Sequence, residues 1–298
     1  MDFIYNIAGL ILKIDGPAAD LGYIEGFDLF KIPNEQTITP DITISTGIKI
    51  PDWRFSNAAR LLHTQEFEGI ECTLWRGPET YFFRMSSPEY GTACFIYNAK
   101  SCTVTCDAGA EISSGGGKGV PPPIIMRFLI WTAFNMASIN TKSVAIHSSV
   151  IMYRQRAVMF LGESGTGKST HTALWRKTIP QSMLLNDDSP ILRIMEGRPV
   201  VFGSPWSGKL PCYKNISVPV AAIVRLSQAP YNKIRRLQKI EAFGAIFPSS
   251  PPSFATDETL TDMVCAILSD VIATVPVYHL ECLPDSQAAL LSMKTIFG

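Results

Sequence analysis

Gly162-Glu163-Ser164-Gly165-Thr166-Gly167-Lys168-Ser169 is the segment that decides the fold predicted for the second half of this chain. It satisfies in full the phosphate-binding pattern of glycine, four residues, glycine, lysine and serine or threonine. Glycines let the backbone wrap around an anion with several N–H groups pointing inward. A helix that begins at the end of such a loop adds its positive N-terminus. We therefore predict that these residues, together with Thr170, bind the phosphates of a nucleotide.

Both flanks of this segment provide the context that the pattern requires. Residues 157–161 are apolar and predict a buried strand before the loop, and residues 169–177 predict a helix after it. In that arrangement Lys168 reaches the β- and γ-phosphates of ATP, and the Ser169 hydroxyl can ligate Mg²⁺. A glycine-rich surface turn that matches the pattern by chance would lack these flanks, so we favour the phosphate loop.

Two adjacent acids follow the next apolar segment of the chain. Asp187 lies nineteen residues after Lys168 (187 − 168), and Asp188 comes next. One acid can ligate a phosphate-bound Mg²⁺ while the other contacts its waters or a substrate hydroxyl. The pair could instead open a turn before Ser189-Pro190. Downstream of a phosphate loop we favour a metal site made of Ser169, Asp187 and Asp188.

His147 directly follows the apolar run of residues 144–146. A histidine in such a position is ordinarily a core residue whose ring nitrogens find hydrogen-bond partners. The residues alone therefore give His147 a structural role. His63 and His279 have no better claim to function, and His171 is expected either to be solvated or to support a neighbouring site residue.

The chain changes character near residue 120. Residues 10–106 contain short apolar or alternating runs separated by turn residues, a pattern typical of mainly antiparallel β structure. Residues 113–119, rich in Ser and Gly, and the prolines at 121–123 cannot sustain a strand or a helix interior and predict a linker. The prolines lead into a predicted buried helix at residues 124–138. We therefore predict a β-rich domain at residues 1–120 and a nucleotide-binding domain at residues 121–298.

Strands mix with helices in the second predicted domain. Short apolar runs there predict strands on both sides of the phosphate loop, and later segments predict helices. The strands are predicted at residues 143–147, 150–153, 157–161, 183–185, 191–195, 200–202, 221–226 and 277–282, and the helices at 169–177, 237–246, 259–273 and from 285 onward. This mixture predicts an α/β domain with a mixed sheet.

Composition indicates a globular protein with a substantial core. Of the 298 residues 46% are hydrophobic and 17% are charged, which is unlike a disordered chain. Lys+Arg and Asp+Glu both number 26, so no global field recruits nucleic acid or an acidic membrane. The apolar run at residues 124–139 carries Arg127 and Asn135 and is shorter than the ~20 residues of a membrane span. We therefore expect neither nucleic acid nor membrane as a partner.

Seven cysteines are scattered along the chain, an odd number that argues against a disulfide framework. Cys102 and Cys106 suit one face of a strand better than a zinc site, because a second ligand pair is missing. The N-terminus carries an early acid, Asp2, and lacks the basic segment of a secretory signal. We therefore expect reduced thiols in a cytoplasmic protein.

His147, the loop at residues 162–169 and Asp187-Asp188 together resemble the catalytic domain of HPr serine kinase/phosphorylase. That family shares its nucleotide fold with ATP-dependent phosphoenolpyruvate carboxykinase. Fifteen residues separate His147 from Gly162 (162 − 147), which is the spacing in the family, where the histidine stands just before two strands that lead to the loop. The resemblance covers residues 141–226 and, more loosely, the C-terminal helices. It implies ATP and Mg²⁺ as cofactors and an active-site role for His147.

The chain also departs from that family. Ser148 follows His147 where the family has glycine, the family's C-terminal signature for recognising HPr is not found, and the region before residue 121 does not resemble its regulatory domain. Residues 203–209 instead resemble HPr-kinase-like proteins found beside peptide-modification genes. This loop could place Lys209 where negative charge builds up and Trp206 as a stacking face. The alternative is a structural loop with a solvated lysine.

The combined expectation is a P-loop kinase domain of the HPr kinase/carboxykinase type. It would transfer the γ-phosphoryl group of ATP to a serine hydroxyl of a protein or peptide, with Asp187 or Asp188, alone or with His147, orienting or deprotonating that hydroxyl. One member of a basic cluster could also contact phosphate; the cluster consists of Arg225, Lys233, Arg235 and Arg236. Alternatives are a nucleotide-binding regulator without turnover and a carboxykinase-related small-molecule enzyme, for which the chain is short. Homo-oligomerisation stays open.

Overall fold

A computed structural model describes residues 2–33, 38–51, 59–110, 119–208 and 210–298. The chain divides into two compact units, residues 1–140 and residues 141–298. The division lies twenty residues beyond the predicted boundary at 120 (140 − 120). Residues 113–118 of the predicted linker lie outside the described residues. The predicted helix at residues 124–138 therefore belongs to the first unit and not to the nucleotide-binding one.

The first unit is built around one large sheet. Its strands are β1 (Asp2–Ile7), β2 (Leu10–Asp15), β3 (Lys31–Ile32), β4 (Ile42–Ser45), β5 (Arg60–Phe67), β6 (Ile70–Arg76), β7 (Thr80–Ser87), β8 (Gly91–Asn98) and β9 (Thr103–Cys106), with a 3₁₀-helix at Phe27–Phe30 and one α-helix, α1 (Pro123–Ser138). The strand order among the described residues is β3-β1-β2-β4-β9-β8-β7-β6-β5. The prediction of mainly antiparallel β structure is confirmed. However, β4 runs parallel to both β2 and β9, which the sequence did not predict.

Helix α1 packs on the sheet of the first unit through aromatic contacts. It begins with Pro123, whose missing N–H is not needed in the first turn of a helix. The Phe128 ring stacks on Trp131 of the same helix, with centroids 5.4 Å apart, and lies 6.1 Å from Phe83 of β7. Among the described residues, no helix is long and apolar enough to cross a membrane.

The second unit contains the predicted alternation of strands and helices. Its elements are β10 (Ser143–Ala145), β11 (Ser148–Tyr153), β12 (Arg156–Leu161), α2 (Lys168–Thr178), β13 (Met183–Asp188), β14 (Ile191–Met195), β15 (Arg198–Phe202), β16 (Ser217–Gln228), β17 (Lys233–Arg236), α3 (Lys239–Ile246), α4 (Glu258–Thr274), β18 (Val277–Cys282) and α5 (Ser286–Phe297), with 3₁₀-helices at Phe247–Ser249 and Pro252–Thr256. Each predicted strand and helix is found within a few residues. Strand β17 was missed because its basic side chains are typical of a solvated segment.

The sheet of the second unit is mixed, as predicted. Its order in the described residues is β10-β14-β15-β16-β12-β11-β13, and β18 pairs with β16 while β17 pairs with β18. Strand β12 is parallel to β16, and β16 is parallel to β18, whereas β11 is antiparallel to both β12 and β13. The carboxyl end of β12, where the predicted loop begins, thus has β13 two strands away on one side and β18 two strands away on the other.

Helix α2 is fixed against the sheet and α5 by a buried cluster. Trp175 is fully buried, and its Nε1 donates a hydrogen bond of 2.9 Å to Ser292 Oγ on α5. His171 is also buried, with its ring 4.7 Å from that of Phe160 and Nε2 3.3 Å from Ser292 Oγ. Burial lowers the pKa of His171 to about 4, so its ring is neutral at physiological pH. The expectation that His171 could be solvated is therefore wrong.

Candidate functional site

The loop at residues 162–167 joins the end of β12 to the start of α2. Gly165 and Gly167 have φ values of 80° and 103°, which side chains rarely adopt, and a Cβ at either position would meet nothing within 4 Å. Backbone conformation, and not crowding, is therefore what requires glycine here. Thr166 closes the turn, because its Oγ1 and its backbone N–H both donate to Glu163 O, at 2.7 and 3.2 Å. The first N–H groups of α2, which have no partner within a helix, follow directly.

Lys168 is the first residue of α2, and its side chain folds back across the loop. Its Nζ donates to Gly162 O at 2.8 Å and to Glu163 O at 3.1 Å. Burial lowers the pKa of Lys168, while the negative charges of Asp188 and Asp187 oppose that shift. The structure thus places an ammonium group over the loop and beside both predicted metal-binding acids.

Ser169 and Asp187 are brought together as predicted. Ser169 Oγ lies 3.1 and 3.0 Å from the two carboxylate oxygens of Asp187. Asp187 is buried at the end of β13, where β13 pairs with β11 so that Asp187 lies opposite Ser149. A hydroxyl and a carboxylate are the hard oxygen donors that Mg²⁺ prefers.

His147 lies beside Asp188, the second acid. In the β11–β13 pairing Ser148 lies opposite Asp188, so the preceding His147 lies at the same end of the sheet. His147 Nδ1 is 3.0 Å from Asp188 Oδ1, and the two side chains are 47% and 43% exposed. The pair is therefore both hydrogen-bonded and open to an incoming molecule, unlike the core histidine that the residues alone suggested.

The backbone at Asp188 is strained. Its φ of 114° costs a non-glycine residue about 1–3 kcal/mol, and such strain clusters at functional sites. Side chains along a regular strand alternate between the two faces of a sheet, so two successive acids would ordinarily diverge. Here the strained residue ends the strand at the point where Asp187 contacts Ser169 and Asp188 contacts His147.

Residues 203–208 form hydrogen bonds to the backbone that carries the two acids. Gly208 N donates to Asp187 O at 2.7 Å, and Ser207 Oγ donates to the same oxygen at 3.2 Å. A Cβ on Gly208 would lie 3.1 Å from the Cβ of Asp188, so this close approach favours glycine. Trp206 is buried, with only 3% of its surface exposed, so of the two alternatives for this residue the structure favours a structural loop over a stacking face. Lys209 lies outside the described residues, and its catalytic role stays a prediction.

The sequence did not predict a buried hydrogen-bond network that adjoins the two acids. Asn186 precedes the acids and is fully buried, and its Nδ2 donates to Trp206 O at 3.0 Å. Its Oδ1 accepts from Ser189 N at 3.1 Å, and Ser204 Oγ donates to Ser189 O at 2.6 Å. These bonds fix the turn that carries both acids. Only the position of Asn186 next to the acids could have indicated this role.

Arg225 is the member of the basic cluster that contacts the loop. In the β12–β16 pairing Arg225 lies opposite Leu161, the residue before the loop. Its guanidinium lies 3.6 Å from the Glu163 carboxylate and donates to Ala245 O at 3.2 Å. Arg235 instead pairs with Glu241 at 2.9 Å, which directs it away from the loop. Arg225 thus adds a second positive charge at the loop entrance.

Comparison with protein-family models gives no match, and comparison with curated proteins gives none either. Among solved structures the chain is similar to the Hpr(Ser) kinase/phosphatase from Coxiella burnetii. The two are 12% identical, and the match covers 51% of this chain and 93% of that chain with a TM-score of 0.29. So weak a likeness carries no argument about the site, so its function has to be argued from its geometry.

Proposed function

We propose that the second unit is an ATP- and Mg²⁺-dependent phosphotransferase that acts on a serine hydroxyl of a protein or peptide. The observation that carries this proposal is the convergence of three parts at one edge of the sheet. These are the loop with Lys168, the Ser169–Asp187 contact at about 3 Å and the His147–Asp188 pair at 3.0 Å. Phosphoryl transfer needs a phosphate cradle, a metal site and a group that orients the attacking hydroxyl.

The two acids take different roles in this proposal. Asp187, which is buried and hydrogen-bonded to Ser169, would hold Mg²⁺ together with that hydroxyl. Mg²⁺, when bound, neutralises charge on the β- and γ-phosphate oxygens. Asp188 is exposed and paired with His147, so it accepts the proton of the attacking serine hydroxyl. The ring of His147 holds the Asp188 carboxylate in position for that transfer.

The openness of the His147–Asp188 pair supports a hydroxyl on a large acceptor. Both side chains keep more than two fifths of their surface exposed, so a hydroxyl presented on an extended chain can reach Asp188. When a carboxylate acts as general base and takes the proton of the attacking alcohol, the phosphoryl group can be transferred directly, without a covalent enzyme intermediate. Lys168 and Arg225 supply positive charge at the loop, where the leaving diphosphate would remain.

The metal assignment predicts different results for the two neighbouring acids. Asp187→Asn should reduce the Mg²⁺-dependent tightening of ATP binding at least about tenfold, since changes even to the outer shell of a metal site cost 10- to 100-fold in affinity. Asp188→Asn is the matched control and should keep most of that tightening. Calorimetry of ATP binding with and without Mg²⁺ measures both effects, and a thermal melt confirms that each variant is folded. Full Mg²⁺ enhancement in folded Asp187→Asn would remove Asp187 from the metal site.

The acceptor can be identified by following the transferred phosphate. We expect labelled γ-phosphate to appear on serine in a protein or peptide when the full chain is incubated with ATP, Mg²⁺, cell lysate and a metabolite pool. Lys168→Ala is the silent control for background kinases. Label confined to a small molecule would overturn the peptide acceptor but keep the phosphotransferase. Binding of ATP with no transfer to any acceptor would instead indicate a nucleotide-binding regulator.

A further inference from the structure

A cavity of about 540 Å³ lies between the loop and the ends of β16 and β18. One wall is formed by the loop and the first turns of α2, including Gly165, Thr170 and Leu174. The opposite wall is formed by the ends of β16 and β18, including Leu226 and Cys282. Its volume is within the range of small-molecule sites, about 300–1,000 Å³.

The sheet order places this cavity and the acids on opposite sides of the loop. Strand β12 leads into the loop, β13 with the acids lies two strands away on one side, and β18 lies two strands away on the other. Gln228 at the end of β16 joins the two walls, because its Nε2 donates to Gly165 O at 3.2 Å. An elongated ligand held by the loop, with one end at Asp188, would direct its other end toward the cavity.

The lining of the cavity is uncharged and more apolar than polar. Leu174, Leu226, Ala229, Leu283 and Pro284 supply its apolar surface. Its polar side chains are those of Thr166, Thr170, His171 and Gln228, and none of the described residues that line it is an Asp, Glu, Lys or Arg. Such a lining disfavours a phosphate group or a charged side chain, which would lose hydration without a partner. It suits a neutral, flat heterocycle whose faces are apolar.

We propose that this cavity binds the nucleoside part of the nucleotide. This inference rests on the proposed function, because that function requires the γ-phosphate to lie near Asp188 and therefore the nucleoside to lie at the opposite end of the nucleotide. A nucleoside site predicts that two ligands with the same number of phosphates behave differently. Inorganic tripolyphosphate engages the loop alone, whereas ATP engages the loop and the cavity.

Alkylation of the native Cys282 thiol measures whether the cavity is occupied, so this test needs no amino-acid substitution. Its thiol is partly exposed and lines the cavity, and Cys265 on α4 is a partly exposed thiol elsewhere in the same unit. Burial and the charge of Asp285 raise the pKa of Cys282, so alkylation by a maleimide is followed at mildly alkaline pH. At ten times its Kd, ATP should slow Cys282 alkylation about tenfold by mass action. Tripolyphosphate should not slow it, and Cys265 should be unaffected by either ligand.

A variant that fills the cavity gives an independent readout. Ala229→Phe should weaken ATP binding about tenfold or more while leaving tripolyphosphate binding unchanged, since small steric changes in a shaped pocket cost 10- to 200-fold. Ala266→Phe, on an exposed position of α4, is the control substitution.

The outcomes separate the nucleoside site from the phosphate loop. If both ligands bind and neither slows Cys282 alkylation, the nucleoside site alone is overturned. Binding of neither ligand to the native chain would overturn the phosphate loop as well, and a raised KM for the acceptor with unchanged ATP affinity would assign the cavity to the acceptor.

Discussion

Asp188→Asn should lower phosphoryl transfer by about 10²–10⁴-fold, the usual contribution of a general base, with little change in ATP affinity or melting temperature. The substitution keeps the shape of the side chain but removes the basic oxygen that takes the proton of the attacking hydroxyl. Stability should change little because the side chain is 43% exposed and pairs with an exposed His147. Single-turnover transfer from labelled ATP, ATP calorimetry and a thermal melt measure the three quantities.

Asp270→Asn is a close control for that substitution. Asp270 is a similarly exposed acid of the same unit, 44% exposed, and its carboxylate lies 2.8 Å from Lys142 Nζ. It has the same chemistry and a comparable ion pair but lies on α4, away from the loop. We expect Asp270→Asn to transfer phosphate at the native rate. If Asp188→Asn also kept the native rate per folded molecule, the His147–Asp188 pair would be structural.

His147→Gln tests whether the histidine acts through the acid. If His147 only positions Asp188, His147→Gln should lower the transfer rate less than Asp188→Asn does. The double variant should then be no slower than Asp188→Asn alone. Residues that act as a unit are strongly non-additive in this way. Additive losses would indicate that His147 contacts the acceptor independently.

The sequence was most informative where structure is determined locally. An apolar run, a glycine-rich segment and a helix-forming stretch lie next to each other from residue 157 to residue 177, and they fold as β12, the loop and α2. The sequence also predicted that Ser169 and Asp187 lie close together, because a shared metal site would require it, and their side chains are in contact. Predictions of this kind depend on short-range conformational preferences.

Contacts set by strand register could not be read from the residues alone. The pairing of Ser148 with Asp188 depends on how β11 aligns with β13, and it is this register that brings His147 to the acid. Only the family resemblance suggested it. Likewise, the hydrogen bonds from Ser207 and Gly208 to Asp187 O link residues twenty positions apart or more, and no local pattern encodes them.

Burial changed the interpretation of two aromatic side chains. Trp206 sits in a glycine- and serine-rich loop, a setting in which exposure is the natural expectation, yet its indole is covered and the segment turns inward. His171 follows Ser169 and Thr170, which are exposed, yet it faces Phe160 and Ser292. In both cases tertiary packing decides the environment, and it depends on elements distant in sequence.

The division between the two units has a similar cause. Pro122 precedes α1 and Pro123 opens it, so the sequence correctly marked the start of a helix there. Which sheet that helix covers depends on its aromatic face, and Phe128 contacts Phe83 of the first unit. A helix that is apolar on most sides could have joined either sheet, so the sequence alone does not assign it to the unit that ends at residue 140.

Lys168→Ala should weaken ATP binding about ten- to hundred-fold, because a charge-assisted contact of this kind contributes about 1.5–3 kcal/mol. AMP should lose far less affinity, since its single phosphate lies away from the β and γ positions that Lys168 contacts. Without ligand the Lys168 ammonium is held by Gly162 O and Glu163 O, so it is already positioned over the loop. Calorimetry of both nucleotides in Mg²⁺ gives the comparison.

Lys177→Ala separates this effect from a general loss of positive charge. Lys177 lies in the last turn of the same helix and is exposed, so its removal changes the net charge equally without touching the loop. We expect its ATP affinity to stay near the native value. Removing Lys168 also breaks two bonds across the loop, and a loop loosened in that way would lose affinity for AMP and ATP alike. Equal losses for the two nucleotides would therefore argue against a contact with the β- and γ-phosphates, whereas a loss confined to ATP places the Lys168 ammonium on them.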